Sequence, residues 1–127
     1  MKTILVDAFN TFVTSDGNIN REMEEMLNKF ENRKIILTNA DKEKQVELWL
    51  VDLPYEMFTQ NFNPLKIEPT YFENFFKEYD LNICDVIYFE HDLGAVESAR
   101  SLWITTYHYD KEKKDIKALE WFLRNYI

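Results

Sequence analysis

Short apolar runs alternate with amphipathic stretches along the whole chain. Thr3-Ile4-Leu5-Val6 is a run rich in β-branched residues, followed by a polar break over residues 7–20. Asn20 predicts the N-cap of a helix reaching about Phe30, with Met23, Met26, Leu27 and Phe30 at helical spacing. Lys34-Ile35-Ile36-Leu37 is a second strand-like run. Asn39 or Asp41 caps a helix whose apolar side is Val46, Leu48, Trp49 and Leu50, until Pro54 stops it. Residues 56–59 predict a short third strand, and Pro64 and Pro69 punctuate the loop that carries Lys66. Tyr71, Phe72, Phe75, Phe76 and Tyr79 form a helical stripe dense in rings, which reads as core rather than as a cofactor site. Val86-Ile87-Tyr88-Phe89 is a fourth strand, residues 93–102 a helix and residues 103–107 a fifth strand. A last helix over residues 112–126 buries Ile116, Leu119, Phe122 and Leu123.

Strands that alternate with helices, and that are nearly all apolar, predict a parallel sheet buried on both faces. The expected fold is therefore α/β, a three-layer sandwich around a five-stranded parallel sheet. With 127 residues, the whole chain (1–127) is read as one domain. An apolar content of 46%, including 10 Phe, 7 Tyr and 3 Trp, supplies a core and excludes disorder as the default. Those rings also point to an exposed apolar patch and hence to a homodimer.

Charge and counts narrow the chemistry. A net charge of −8 argues against a general binder of nucleic-acid backbone. The only glycines, Gly17 and Gly94, cannot form a phosphate loop or a dinucleotide fingerprint. One cysteine, Cys84, permits no disulfide within the chain, is read as a buried or half-buried bystander, and suggests a reducing compartment. Together with His91 and His108 it cannot make a zinc-finger set. No apolar run spans a bilayer, so a cytoplasmic protein without a membrane partner is expected.

Parallel α/β sheets bind ligands beyond the carboxyl ends of their strands. The residues following the apolar runs are Asp7, then Thr38 and Asn39, then Glu90, His91 and Asp92. Two acidic sites and a hydroxyl thus converge on one sheet edge. Close carboxylates favour a cation between them, and an oxygen-rich set suits Mg²⁺. A hydroxyl, backbone N–H groups and a lysine would hold phosphoryl oxygens. The plainer alternative is that Asp7 and Asp92 merely end strands or cap helices. His91 reads as a loop histidine with a structural hydrogen bond, ahead of a proton shuttle.

Ile4-Leu5-Val6-Asp7-Ala8-Phe9-Asn10-Thr11 resembles the first motif of the haloacid dehalogenase-like hydrolases, an aspartate followed four positions later by threonine. Ile35-Ile36-Leu37-Thr38-Asn39-Ala40 is similar to their second motif, Lys66 sits where the third supplies a lysine, and Glu90-His91-Asp92 lies at the fourth. The resemblance implies a Rossmann-like core and a Mg²⁺-dependent phosphatase-like hydrolase. In it Asp7 would be the nucleophile, with Thr38 and Lys66 as its catalytic partners. Thr38, Asn39 and Lys66 would bind the substrate. Asp7, the backbone carbonyl of Phe9 and either Glu90 or Asp92 would hold the metal.

Three departures accompany the match. Phe9 stands where family phosphatases carry a general acid–base aspartate, a loss typically worth ~10²–10⁴-fold in rate. Glu90-His91 replaces the usual Gly-Asp of the fourth motif, and Ala95 falls where a later acid belongs. Only 26 residues separate Thr11 from Thr38, which leaves no room for a cap domain there. An open site suits a phosphate on a large molecule. The rival reading is a catalytically impaired relative that serves as a binding or assembly module. A response-regulator receiver domain is a minor third, because no lysine directly follows Ile104-Thr105-Thr106-Tyr107, where a receiver needs one, and Asp7 lacks an acidic neighbour.

Overall fold

The computed structural model of the protein describes residues 1–127. Its strands are β1 (Thr3–Asp7), β2 (Lys34–Leu37), β3 (Glu56–Phe58), β4 (Val86–Glu90) and β5 (Thr106–His108). Its α-helices are α1 (Arg21–Leu27), α2 (Lys42–Glu47), α3 (Pro69–Tyr79), α4 (Leu93–Ser101) and α5 (Ile116–Tyr126). All strand pairs are parallel, in the order β3-β2-β1-β4-β5. The chain therefore builds outward from β1 to β3, then returns to lay β4 on the other side of β1. That reversal sits between β1 and β4, the crevice where α/β sheets place their ligands.

Burial on both faces explains the apolar strands. Residues alternate in direction along a strand, so Ile4, Val6, Ile36, Ile87 and Phe89 join one core with Met23, Met26, Leu119 and Leu123 of α1 and α5. Leu5, Ile35, Leu37 and Tyr88 join the other with Tyr71, Phe72 and Phe75 of α3 and Ala99 of α4. The ring stripe is core, as its spacing predicts. Phe58 meets Tyr71, Phe75 and Tyr79 edge-on at centroid distances of 5.3–5.9 Å. Each such pair contributes about 0.5–1.5 kcal/mol beyond burial.

Several boundaries differ from the sequence expectation, each for a local reason. Helix α1 ends at Leu27, and Phe30 reaches the core from the turn beyond it. Asp41, not Asn39, caps α2 by accepting the Lys44 N–H. The apolar side expected there is largely absent, because α2 buries none of its residues, Val46 and Trp49 are exposed, and only Leu50, beyond the helix end, is fully buried. Strand β5 begins three residues late, since Trp103 at φ 66° turns the chain and faces solvent. Asp115 caps α5, which leaves residues 112–114 outside the helix. Cys84 is exposed rather than buried. No helix is long and apolar enough to cross a membrane.

Candidate functional site

Asp7 ends β1 and Glu90 ends β4, and the two strands are neighbours. Strand alternation turns Asp7 to the same side as Leu5, and Glu90 to the side of Tyr88. Both carboxylates thus enter the sheet face that carries α3. The loop between β3 and α3 passes over that face and delivers Lys66. Its ammonium donates to Asp7 Oδ1 and to Glu90 Oε1, both at 2.7 Å, and to the Leu37 carbonyl at 3.3 Å. All three side chains are almost wholly buried. Asn39 fixes the loop by accepting the Lys66 N–H on Oδ1 at 2.7 Å.

The turn after β1 supplies the next partner. The Phe12 N–H bonds the Asp7 carbonyl, the Asn10 N–H bonds the Val13 carbonyl, and Asn10 takes φ 66°. This tight turn folds the chain back so that Thr11 Oγ1 donates to Asp7 Oδ2 at 2.6 Å. The same oxygen accepts the His91 backbone N–H at 3.2 Å and lies 2.5 Å from His91 Nδ1. Glu90 is held as firmly: Tyr88 Oη donates to Oε1, and the Asp92 N–H to Oε2 at 3.0 Å.

Charge follows geometry. Burial alone would raise the Asp7 pKa, but the Lys66 charge and the His91 hydrogen bond hold it below the usual range. Glu90 goes the other way, pushed up to about 7 by burial and by the Asp7 charge, which Lys66 offsets only in part. Burial opposes protonation of Lys66 and His91, yet the facing carboxylates hold both above their ordinary values. Two carboxylates sharing one ammonium divide in this way, the one with the additional hydrogen bonds from Thr11 and His91 staying ionised while the other leans toward its acid form.

These groups floor a cavity of about 300 Å³. Asp7, Phe9, Thr38, Asn39, Lys66, Glu90, His91 and Asp92 all line it. The convergence expected at the strand ends is therefore present. Thr38 Oγ1 accepts the Ala40 N–H at 3.1 Å, which leaves its proton for another acceptor. Asp92 is set differently from Glu90. It is the N-cap of α4, with Oδ2 accepting the Ala95 N–H at 3.0 Å. Sequence reasoning did not assign Thr11, Tyr88, Lys44 or Phe62 to the site. Thr11 was legible as the fourth residue after Asp7, and Tyr88 as the residue two before Glu90 on one strand face. Lys44 and Phe62, on the cavity wall, carry no signal in the sequence.

Asp7, Glu90 and His91 present a carboxylate-rich cluster whose donor atoms lie within 4.8 Å of one another. The chemistry of this set fits Mg²⁺ poorly. Magnesium demands near-octahedral oxygen donors, and of these three residues only Asp7 and Glu90 offer oxygen, His91 bringing an imidazole nitrogen. The Lys66 ammonium already bridges Asp7 Oδ1 and Glu90 Oε1, while His91 Nδ1 lies against Asp7 Oδ2 and 3.4 Å from Glu90 Oε2.

No family model and no curated protein sequence match the chain. Solved structures do. One is an uncharacterized protein from Corynebacterium glutamicum ATCC 13032 Kitasato, 14% identical, with a TM-score of 0.61 over 96% of this chain and 95% of that one. Another is D,D-heptose 1,7-bisphosphate phosphatase from Burkholderia thailandensis, 10% identical, with a TM-score of 0.57 over 90% of this chain and 83% of that one. The fold is the α/β, Rossmann-like architecture of a five-stranded parallel sheet between helices. At these identities the likeness concerns architecture alone.

Proposed function

We propose that this protein is a phosphatase-like hydrolase whose nucleophile is Asp7. The observation that carries the reading is the buried contact of Asp7 with Lys66 at the floor of a cavity that Thr38 also lines. A carboxylate kept ionised beside an ammonium is primed to attack a phosphoryl group, and the same cation offsets charge on the transferred oxygens. In the first step an Asp7 oxygen forms a bond to phosphorus while the ester P–O bond breaks, and the leaving oxygen takes a proton from solvent. Water then attacks the acyl phosphate, which releases inorganic phosphate and restores Asp7. A phosphatase among the structures of this fold supports a phosphorylated substrate.

No step is routed through Mg²⁺, because the donor set described above does not suit it. The absence of a long segment between β1 and α1 supports an uncapped site, open to a phosphate on a large molecule. Phe9 provides no proton, so turnover is expected to be slow. The test is a panel of phosphomonoesters assayed against wild type and Asp7→Asn. Phosphate release above the Asp7→Asn level supports the enzyme, and equal rates remove it.

The second reading, a binding or assembly module, is favoured by a specific observation. Each carboxylate oxygen of Asp7 and Glu90 already accepts a hydrogen bond from the protein. Saturable binding of a phosphorylated ligand without turnover would select it.

A further inference from the structure

The resemblance at the fourth motif breaks where a metal would be held, since Glu90-His91 replaces Gly-Asp. Geometry gives that replacement a role. The His91 imidazole is fixed on several sides. Its backbone N–H donates to Asp7 Oδ2, its carbonyl lies 2.9 Å from His108 Nε2, and Nδ1 lies 3.3 Å from Thr11 Oγ1. Its ring, about a fifth exposed, lines the cavity beside Asp7. A cation seated between Asp7 and an incoming anion would need an Asp7 oxygen with a free direction. Oδ1, with its one bond from Lys66, keeps a lone pair, which the attack on phosphorus uses; Oδ2 has none to spare, since it accepts from Thr11 Oγ1 and the His91 backbone N–H and lies against His91 Nδ1. A cation joining Asp7 to Glu90 would have to expel the Lys66 ammonium, which occupies the bridging position at 2.7 Å from each.

We propose that the His91 side chain fills the divalent-cation position of this site, so that the protein binds and turns over its phosphoryl ligand without a metal. The proposal rests on the phosphoryl reading above for its ligand, but the occupancy of the metal position is measurable without any turnover. The Lys66 ammonium supplies positive charge at a fixed position with no ion to recruit, and the His91 ring occupies the space beside Asp7.

The experiment titrates Mn²⁺, a spectroscopically visible substitute for Mg²⁺, into the full-length protein and follows free ion by electron paramagnetic resonance. Wild type is expected to take up none in the millimolar range. His91→Asp, which restores an oxygen donor and vacates the imidazole's volume, is expected to take up one ion per chain. One-to-one uptake by wild type that Asp7→Asn abolishes would overturn the proposal, as would a folded His91→Asp protein that binds no better than wild type. The wild-type titration decides the matter alone if His91→Asp does not fold. Where phosphate release is detectable, rates in excess EDTA and in excess Mg²⁺ should agree within about twofold, and collapse in EDTA would count against the proposal. Absence of turnover in both conditions would strike the hydrolase reading while leaving the Mn²⁺ result to judge the metal position.

Discussion

Lys66 is the residue on which the site's charge balance turns. It is one ammonium facing two buried carboxylates, so removing it does more than delete a bond. Asp7 and Glu90 would be left as adjacent buried acids, one of them forced to take up a proton. Breaking a buried ion pair from one side typically costs about 3–5 kcal/mol, and Lys66→Met is expected to fall in that range in urea unfolding near neutral pH. Loss of less than about 1 kcal/mol would mean the cluster relaxes into solvent. Glu90 sets a pH dependence whose sign is opposite to that of an ordinary salt-bridged acid. Its pKa is raised from 4.5 to about 7, so the folded state retains a proton that the unfolded state releases. Its stabilising contribution is complete below its unfolded value and is lost as pH rises toward 7. His91, raised from 6.5, acts in the same direction slightly higher in pH. Asp7, lowered from 3.8, contributes stability that is present above that value and is lost only as pH falls below it, outside this range. Wild type should therefore lose stability between pH 5 and 8. Glu90→Gln should remove up to about 1.4 kcal/mol per pH unit of that slope, as read from denaturant midpoints across the range.

At the level of elements, legibility tracked burial. Helix α3 was readable because Tyr71, Phe72 and Phe75 repeat at helical spacing, and all three are fully buried. Phe75 sits among Phe58, Phe76 and Tyr79, and Phe75→Ala is expected to cost about 3–5 kcal/mol in chemical unfolding. Helix α2 was misjudged because its apolar residues suggest a buried side, while the fold leaves Val46 and Trp49 in solvent. Composition cannot tell an apolar residue that packs from one that does not. The strand-end chemistry was legible for a different reason: topology, not spacing, brings Asp7, Thr38 and Glu90 together, and the β-strand period fixes which face the two carboxylates enter. What the sequence could not convey was that His91 and Lys66 would fill both gaps between the acids, since that depends on loop paths. Position 103 offers a test of local backbone cost. Trp103 adopts φ 66° and is 85% exposed, so its side chain forgoes burial in a conformation that L-residues adopt at a cost of roughly 1–2 kcal/mol. Glycine relieves that cost while adding unfolded-state entropy worth about 0.5–1 kcal/mol. Trp103→Gly should therefore be neutral or stabilising by up to about 1.5 kcal/mol, a result opposite to the usual effect of deleting an aromatic ring.

Across the whole molecule, all three tryptophans lie in solvent: Trp49 is 52% exposed, Trp103 85% and Trp121 63%. The cores on the two sheet faces are instead built from Phe, Tyr and aliphatic residues. Exposed indoles are costly to leave wet, and aromatic side chains are enriched where proteins meet. Against association stands a charge of −8 on each copy. Repulsion between like-charged copies is long-ranged and fades as the screening length shortens from about 10 Å at 0.1 M salt to about 3 Å at 1 M. Contact between apolar rings is insensitive to that screening. The two effects separate in one measurement. Tryptophan emission of a dilute sample in low salt should resemble that of indole in water and shift little on unfolding. On raising protein and salt together, the emission should move to the blue as copies pair and bury their rings, with a matching rise in sedimentation coefficient. Trp121→Glu should weaken the shift if α5 forms the contact. Emission that stays constant across both variables, with a sedimentation coefficient that does not move, would establish a monomer whose tryptophans serve no interface with its own kind.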